Sequence, residues 1–458
     1  MKKFLDSEVL TYGTYKVVQQ LPNALSGMSQ TQTKIMHELQ KKPDKKIKTA
    51  EVFTLIYNNT KYRHGDVSAN TTTSNLAAPY SNNINLLKPS GTFGFRSAKK
   101  ASSARYTNVI FSKMGQSIFN KKDIPLLEEQ ILEETVVEPH YLLPIIPVGL
   151  INGMDGIGMG YSCKVHPRNP LEIIDLIINI LSGKTKVIPS VLNLHYPFFD
   201  GVIENGENPR QFIIKGKVSK PKKNVVKITQ VPVSLDREKI IDNLNKLIDK
   251  DLIRSFEEDC VKNTFDFTVR VTPEVWNMDE ETLLELFSLN STVSDSITLI
   301  HRVNNKYELL FFDSVSEYLG FWIKERLGLY KERLAIEIIE YEFRLMKNEE
   351  QRRFIELENN GTIVVSKKSK VDILKQIKAN NLKNIADGSS ETGWNYLLNM
   401  PIYNLSAEKL KELEIEHARL TQELIDYRKL KPTSVWLEEL KNLHKLVLKE
   451  YESKLVVV

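Results

Sequence analysis

Apolar positions recur along the chain at two spacings, and each spacing predicts a different kind of element. Intervals of three and four residues mark helices. Val9, Leu10, Tyr15, Val17 and Val18 place one over residues 4–20, weakened by Gly13. Ile35, Met36 and Leu39 place a short one over residues 31–39. Val52, Phe53, Ile56 and Tyr57 place another through residue 58, with Thr49 as its N-cap. Pro43-Asp44 makes a tight, lysine-rich turn between these two, which predicts a helix-turn-helix or winged-helix unit. A polar helix is expected over residues 68–80, after a break at Gly65. Residues 109–119 and 125–132 also read as helical, and 141–150, nearly all apolar with two prolines, as buried loop or strand. Asn169-Pro170 opens a helix over 171–181, with Gly183 as its stop.

From residue 198 to 300 the pattern changes. Strand-like runs over 211–218, 225–231 and 264–271 interleave with helices over 237–249 and 280–289. From residue 311 to 359 the helical spacing returns, through Ile323, Leu327, Tyr330, Leu334, Ile338, Tyr341 and Leu345. A second such stripe, Leu410, Leu413, His417, Leu420, Leu424 and Tyr427, follows Ser406 as N-cap, with Leu405 and Leu410 placed for a hydrophobic staple. Two long stripes separated by a smaller helical region predict an antiparallel coiled coil with a helical tip. The fold class is therefore multidomain α+β, divided at 1–165, 166–310 and 311–458.

Composition narrows the setting. A chain of 458 residues is too long for one core. No uncharged apolar run approaches the ~20 residues of a spanning helix, and the first residues lack the apolar stretch of a signal peptide. A cytoplasmic protein without membrane partners is expected. With only Cys163 and Cys260, neither a disulfide framework nor a thiolate zinc site is expected. The net charge of +5 hides an asymmetry: residues 1–106 carry +10 and the remainder −5. A basic N-terminal quarter on an acidic body points to a polyanion partner.

Residues 82–106, NNINLLKPSGTFGFRSAKKASSARY, concentrate that charge. Lys88, Arg96, Lys99, Lys100 and Arg105 are interspersed with turn signals at Pro89, Gly91 and Gly94, and no acidic residue interrupts them. A solvent-facing basic loop of this kind suits a phosphate backbone, and Tyr106 at its end is a candidate nucleophile. Gly183-Lys184-Thr185 lacks the upstream glycine of a phosphate-cradling loop and suits a helix C-cap. Asp249-Lys250-Asp251 has the spacing of a metal-binding pair, but it ends a lysine-rich helix and suits a solvated face.

Several segments together resemble the breakage-reunion region of type IIA DNA topoisomerases. These are NNINLLKPSGTFGFR with KKASSARY, KYRHGD, LPNALSGMSQTQTK, PIIPVGLINGMDGIGMGYSCKV, LLELFSLNSTVSDS with FFDSVSEYLGFWIKERLGLYKERL, and WNYLLNMPIYNLSAEKLKEL. They occur in the family's order over nearly the whole chain. NNINLL, PSG-x-FG and NLL/MPI are more similar to the eukaryotic and T-even phage branches than to bacterial gyrase. Within those branches the chain resembles the medium subunit of T-even-like phage enzymes.

The resemblance implies an ATP-dependent enzyme that makes a transient double-strand break through a 5′-phosphotyrosyl bond. It implies Tyr106 as nucleophile, Arg105 on the phosphate and His64 near the scissile bond. It also implies Ile157 as an intercalating wedge. Gln32, Lys34, Lys46, Lys48, Lys61, Lys88, Arg96, Lys99 and Lys100 become candidate DNA contacts. Mg²⁺ and ATP are expected on a separate ATPase/Toprim-type subunit, with no metal site of the chain's own. One tyrosine per strand requires a homodimer, through the C-gate at the coiled-coil tip. The expected domains are a winged-helix cleavage domain, an α/β tower, and the coiled coil with its dimerisation tip. Three positions depart from the family: Thr33 replaces an arginine whose phosphate contact Lys34 would take, Arg63 replaces a histidine, and Ala104 replaces a proline. A catalytically inactive DNA clamp that keeps the fold is the alternative. A tyrosine recombinase would need a His-x-x-Arg motif, which is not found.

Overall fold

Short helices and a small sheet build the N-terminal region, as the computed structural model shows; it describes residues 8–385, 391–401 and 406–455. In chain order come α1 (Leu10–Gln20), α2 (Gln30–Gln40), β1 (Ile47–Lys48), α3 (Thr49–Thr60), α4 (Asp66–Ala77), β2 (Leu87–Ser90) and β3 (Asn108–Phe111). The three strands form an antiparallel sheet with β3 in the centre. Ile35, Met36, Val52, Ile56, Leu87 and Val109 are fully buried, joining helices and sheet in one core. Two expectations shift here. Thr49 is the first residue of α3 and Lys48 precedes it as the cap position. Residues 108–111 are strand, not helix, because alternate residues Val109 and Phe111 are buried against the core; only α5 (Lys113–Ile118) beyond them is helical.

Residues 125–132 are also not helical. A 3₁₀ turn ends at Leu126, and β4 (Ile131–Leu132) pairs with β5 (Thr135–Val136) as a small hairpin. The apolar run that follows is buried through Leu142, Leu143, Ile145 and Ile146, and leads into α6 (Val148–Asn152). β6 (Met154–Gly158) and β7 (Tyr161–Val165) then form a second hairpin. α7 (Pro170–Leu181) begins as expected: the Asn169 side chain accepts from the Leu171 and Glu172 amides. It stops at Gly183, whose φ of +74° suits only glycine at low cost.

The middle of the chain is richer in strands than its pattern suggested. It comprises β8 (Val202–Asn205), β9 (Gln211–Lys215), β10 (Lys217–Lys222), β11 (Val225–Gln230), α8 (Arg237–Asp249), β12 (Ile253–Glu258) and β13 (Phe267–Val271). α9 (Pro273–Trp276), α10 (Glu280–Leu286), β14 (Asn290–Ser294), β15 (Ile297–Val303) and β16 (Lys306–Phe312) follow. A four-stranded sheet, β10-β11-β13-β12, packs Val226, Ile228, Phe267 and Val269 against Ile240 and Leu244 of α8.

The chain divides into two compact units, Met1–Gly328 with Trp436–Val458, and Leu329–Val435. The boundaries fall within α11 (Val315–Asn359) and α15 (Pro432–Leu455). In the first unit the Trp436 indole donates to the Ile145 carbonyl at 2.9 Å and lies 5.9 Å from the Trp322 ring, tilted to it by 57°. The second unit adds α12 (Lys370–Ala379), α13 (Asn395–Leu398) and α14 (Ala407–Lys429). Here α11 and α14 run antiparallel: Glu342 pairs with Arg428, and Glu349 with His417. Ser406 caps α14 by accepting from the Lys409 amide. The Leu405 half of the expected staple lies outside the described residues.

Candidate nucleic-acid interface

Tyr106 stands at the end of a turn that runs directly into β3. Its amide donates to Ser103, and its side chain is 74% exposed. On either side the backbone is tied down, by Ala50 N–H to the Ala104 carbonyl and Thr49 N–H to the Thr107 carbonyl. Thr107 also donates through its hydroxyl to Thr49 at 2.9 Å. An exposed phenol on a fixed backbone is what an in-line attack on an external phosphate needs. The exposed Arg105 guanidinium lies 6.0 Å from the Tyr106 ring centre.

His64 lies on the segment before α4, exposed, with its ring edge-on to Tyr62 at 5.5 Å. Its Nε2 and the Gln19 side-chain oxygen are 2.9 Å apart. Gln19 is a partner that sequence spacing could not reveal, since 45 residues separate the two. No hydrogen bond or ring contact joins His64 to Tyr106 among the described residues. Arg63 and Lys61 are paired instead with Glu133, on the β4–β5 turn, at 2.6 and 3.9 Å.

The DNA-contact candidates separate by burial. Lys46, Lys48, Lys88 and Lys100 are exposed, and Lys61 is half-buried. Ile157, 72% exposed, projects from the β6–β7 hairpin. Lys34 and Arg96 are corrections. Lys34 is 5% exposed, ion-paired with buried Glu138 at 2.6 Å and bonded to the Thr60 carbonyl. Burial lowers the Lys34 ammonium and raises the Glu138 carboxyl. Lys34 therefore does not replace the family arginine, and Thr33 at that arginine's position is itself buried and bonded to Ser29.

Arg96 is 2% exposed, and its guanidinium donates to the Val231 carbonyl at 2.8 Å. The loop of residues 82–106 is thus not wholly solvent-facing: 82–87 are buried as well. Lys99 is half-buried and donates to the Val233 carbonyl at 2.9 Å. Gln32 spends its side-chain oxygen on the Ser29 amide, completing the cap of α2, and lines a cleft of about 910 Å³ with Arg96, Lys99, Tyr80 and Tyr196. Asp249 and Asp251 are exposed. Among the described residues no group of three or more His, Cys, Asp or Glu side chains is placed to hold a metal, and no helix is long and apolar enough to cross a membrane.

Comparison with known proteins bears on the family and the fold. The family model for the A subunit of DNA gyrase/topoisomerase IV matches residues 20–441. DNA topoisomerase 2, mitochondrial, of Dictyostelium discoideum is 27% identical over 98% of the chain, and DNA topoisomerase 2 of Acanthamoeba polyphaga mimivirus 26% over 95%. The chain spans 35% and 40% of those relatives' lengths. The crystal structure of the Plasmodium falciparum topoisomerase II DNA-binding, cleavage and re-ligation domain superposes with a TM-score of 0.86 at 27% identity, covering 99% of this chain and 65% of that one. The chain belongs to the family of DNA gyrase and topoisomerase IV A subunits and has the fold of a type II topoisomerase cleavage and re-ligation domain.

Proposed function

We propose that the chain breaks and rejoins duplex DNA as the cleaving part of an ATP-dependent type II topoisomerase. The observation that carries this reading is Tyr106: an exposed phenol, beside the exposed Arg105, on a backbone pinned at both sides. The Tyr106 oxygen attacks a backbone phosphorus. A phosphotyrosyl bond forms to the 5′ end, the bond to the 3′ oxygen breaks, and that oxygen leaves as a hydroxyl. Arg105 holds a non-bridging oxygen, and His64 relays the proton that the phenol loses toward the leaving oxygen. One phosphodiester replaces another, so the 3′ hydroxyl reseals the strand without ATP.

Among the described residues no three His, Cys, Asp or Glu side chains are grouped to hold a metal; Mg²⁺ held outside these residues would stabilise the phosphate and the leaving 3′ oxygen. We assign Mg²⁺ and ATP to a separate ATPase/Toprim-type subunit, as in the T-even-like phage assembly that the NNINLL and PSG-x-FG motifs resemble. Residues 1–165 act as the winged-helix cleavage domain, 166–310 as the tower, and 311–458 as the coiled coil and C-gate of a homodimer. Ile157 wedges between base pairs, and Lys46, Lys48, Lys88 and Lys100 hold phosphates. The site of action is the cytoplasm, a bacterial host's if a phage encodes the chain.

Mixing the chain with its ATPase subunit, Mg²⁺ and plasmid, then denaturing, should trap a covalent protein–DNA adduct that Tyr106→Phe abolishes. An adduct that survives in that variant overturns the assignment. A DNA clamp without cleavage is the second reading, favoured by buried Thr33 at the family arginine's position. It predicts steeply salt-dependent binding and no adduct under any condition.

A further inference from the structure

Between Phe93 and Tyr106 the chain is buried at Gly94, Arg96 and Ser97 and exposed again at Lys100, Ser102, Ser103, Arg105 and Tyr106. Gly94 permits a turn: its φ is +89°, and a Cβ there would stand 2.6 Å from the Lys99 carbonyl oxygen. The next residues are held from the other side by the α8 and β11–β13 region. The Arg96 amide donates to the Asn263 side-chain oxygen at 3.0 Å, and the Ser97 amide and hydroxyl both donate to the Lys262 carbonyl. The Arg237 amide donates back to the Ser97 carbonyl. The Arg96 guanidinium reaches the Val231 carbonyl, stands 5.5 Å from the Phe265 ring, and Lys99 reaches Val233.

Neither cation is in an ion pair within 4 Å among the described residues; both are spent on backbone carbonyls of the segment between β11 and α8. Further cross-ties carry the anchorage toward the tyrosine. Tyr80 donates its hydroxyl to the Lys99 carbonyl at 2.9 Å, and the Ser102 amide donates to the Thr92 carbonyl.

We infer that Arg96, Lys99 and Asn263 are positioning residues for Tyr106, pinning the loop that carries it to the α8 and β11–β13 region. They act through backbone, not on DNA phosphate. The inference rests on Tyr106 being the nucleophile. It divides the basic loop in two. Arg96 and Lys99 fix its root, while Lys88, Lys100 and Arg105 remain exposed for a ligand.

The experiment compares wild type, Asn263→Ala, Lys99→Met and Lys99→Arg in the complete complex. Three quantities are measured: adduct formation at saturating plasmid, the salt dependence of DNA binding, and amide hydrogen exchange over residues 94–106. Asn263 lies on the far side of the staple and carries no charge, so its loss removes the anchor without removing a cation. Asn263→Ala and Lys99→Met should each slow adduct formation about ten-fold or more, as expected for a displaced nucleophile. The slope of log affinity against log salt should stay at the wild-type value, exchange over 94–106 should quicken, and Lys99→Arg should restore the rate. A salt slope smaller by about one in Lys99→Met, or wild-type exchange over 94–106 in Asn263→Ala, overturns the inference. If the wild type forms no adduct, the exchange measurement still decides the staple, and it is the nucleophile assignment that falls.

Discussion

Glu133 reaches from the β4–β5 turn to Arg63 at 2.6 Å and Lys61 at 3.9 Å, next to His64. A carboxylate there occupies the charge environment that a phosphate would otherwise use. All three side chains are more than a third exposed, so the pairing is worth only about 0.2–1 kcal/mol. Glu133→Gln should tighten DNA binding by up to ~5-fold at low salt, with the gain fading as salt screens it. Equal affinity at low salt would show that DNA does not use Arg63 and Lys61. Lys99 gives a second prediction. Burial, with Arg96 and Lys239 beside it and only Asp236 opposing, lowers its ammonium to about 8 from 10.5. Between those values the unfolded chain binds the extra proton, so this contribution to stability rises with pH. The stability of wild type minus that of Lys99→Met, with its sign kept, should be flat below the folded value and rise toward the unfolded one; a signed difference that falls would contradict the burial. Neither Arg96 nor Lys34 was legible as an inward-facing cation. Charge patterning assigns a basic side chain to solvent, and their acceptors lie 135 and 26 residues away in sequence.

Helices with strong end signals were legible, and short strands were not. Asn169-Pro170 and Ser406 each announce a helix with a side chain that accepts from the first turn. The four residues of β3 carry two buried apolar positions, too few to separate period two from period 3.6 before the neighbouring strands are known. β12 has one buried residue in six, so its pairing with β13, not its own pattern, defines it. Elements are also joined by charges that differ in value. Arg168, before α7, is fully buried against Asp295, between β14 and β15, at 2.5 Å. Asp295→Ala leaves that guanidinium unpaired and should cost about 3–5 kcal/mol, read as a lower midpoint in thermal unfolding of the first unit. Glu257→Gln on β12 removes the exposed partner of Arg270 at 3.2 Å and should leave the same midpoint unchanged. Comparable losses from both variants would show that burial does not set the cost.

At the scale of the whole molecule, the decisive feature is that each chain presents one exposed Tyr106 on a fixed turn. A staggered double-strand break then needs two chains, related by a two-fold axis that matches the symmetry of the duplex. In the proposed reaction each tyrosine serves one strand, so the two cleavages are chemically separate events joined only through the dimer. Wild-type and Tyr106→Phe chains refolded together in equal amounts should form roughly one quarter wild-type dimers and half mixed dimers. After trapping and protein digestion, the mixed dimers should leave nicked circles with a single adduct, and linear product should fall to about a quarter of the yield from the same total of wild-type chain. Linear product that stays at about three quarters, the share of dimers with at least one wild-type chain, would mean that one Tyr106 cuts both strands. The assay is sensitive to assembly as well as chemistry. Chains that do not exchange give about half the linear product, so exchange is checked first with differently tagged wild-type chains that must co-purify. A rise in nicked circles, with the matching loss of linear product, would tie the exposed phenol of a single chain to the two-fold architecture proposed for the enzyme.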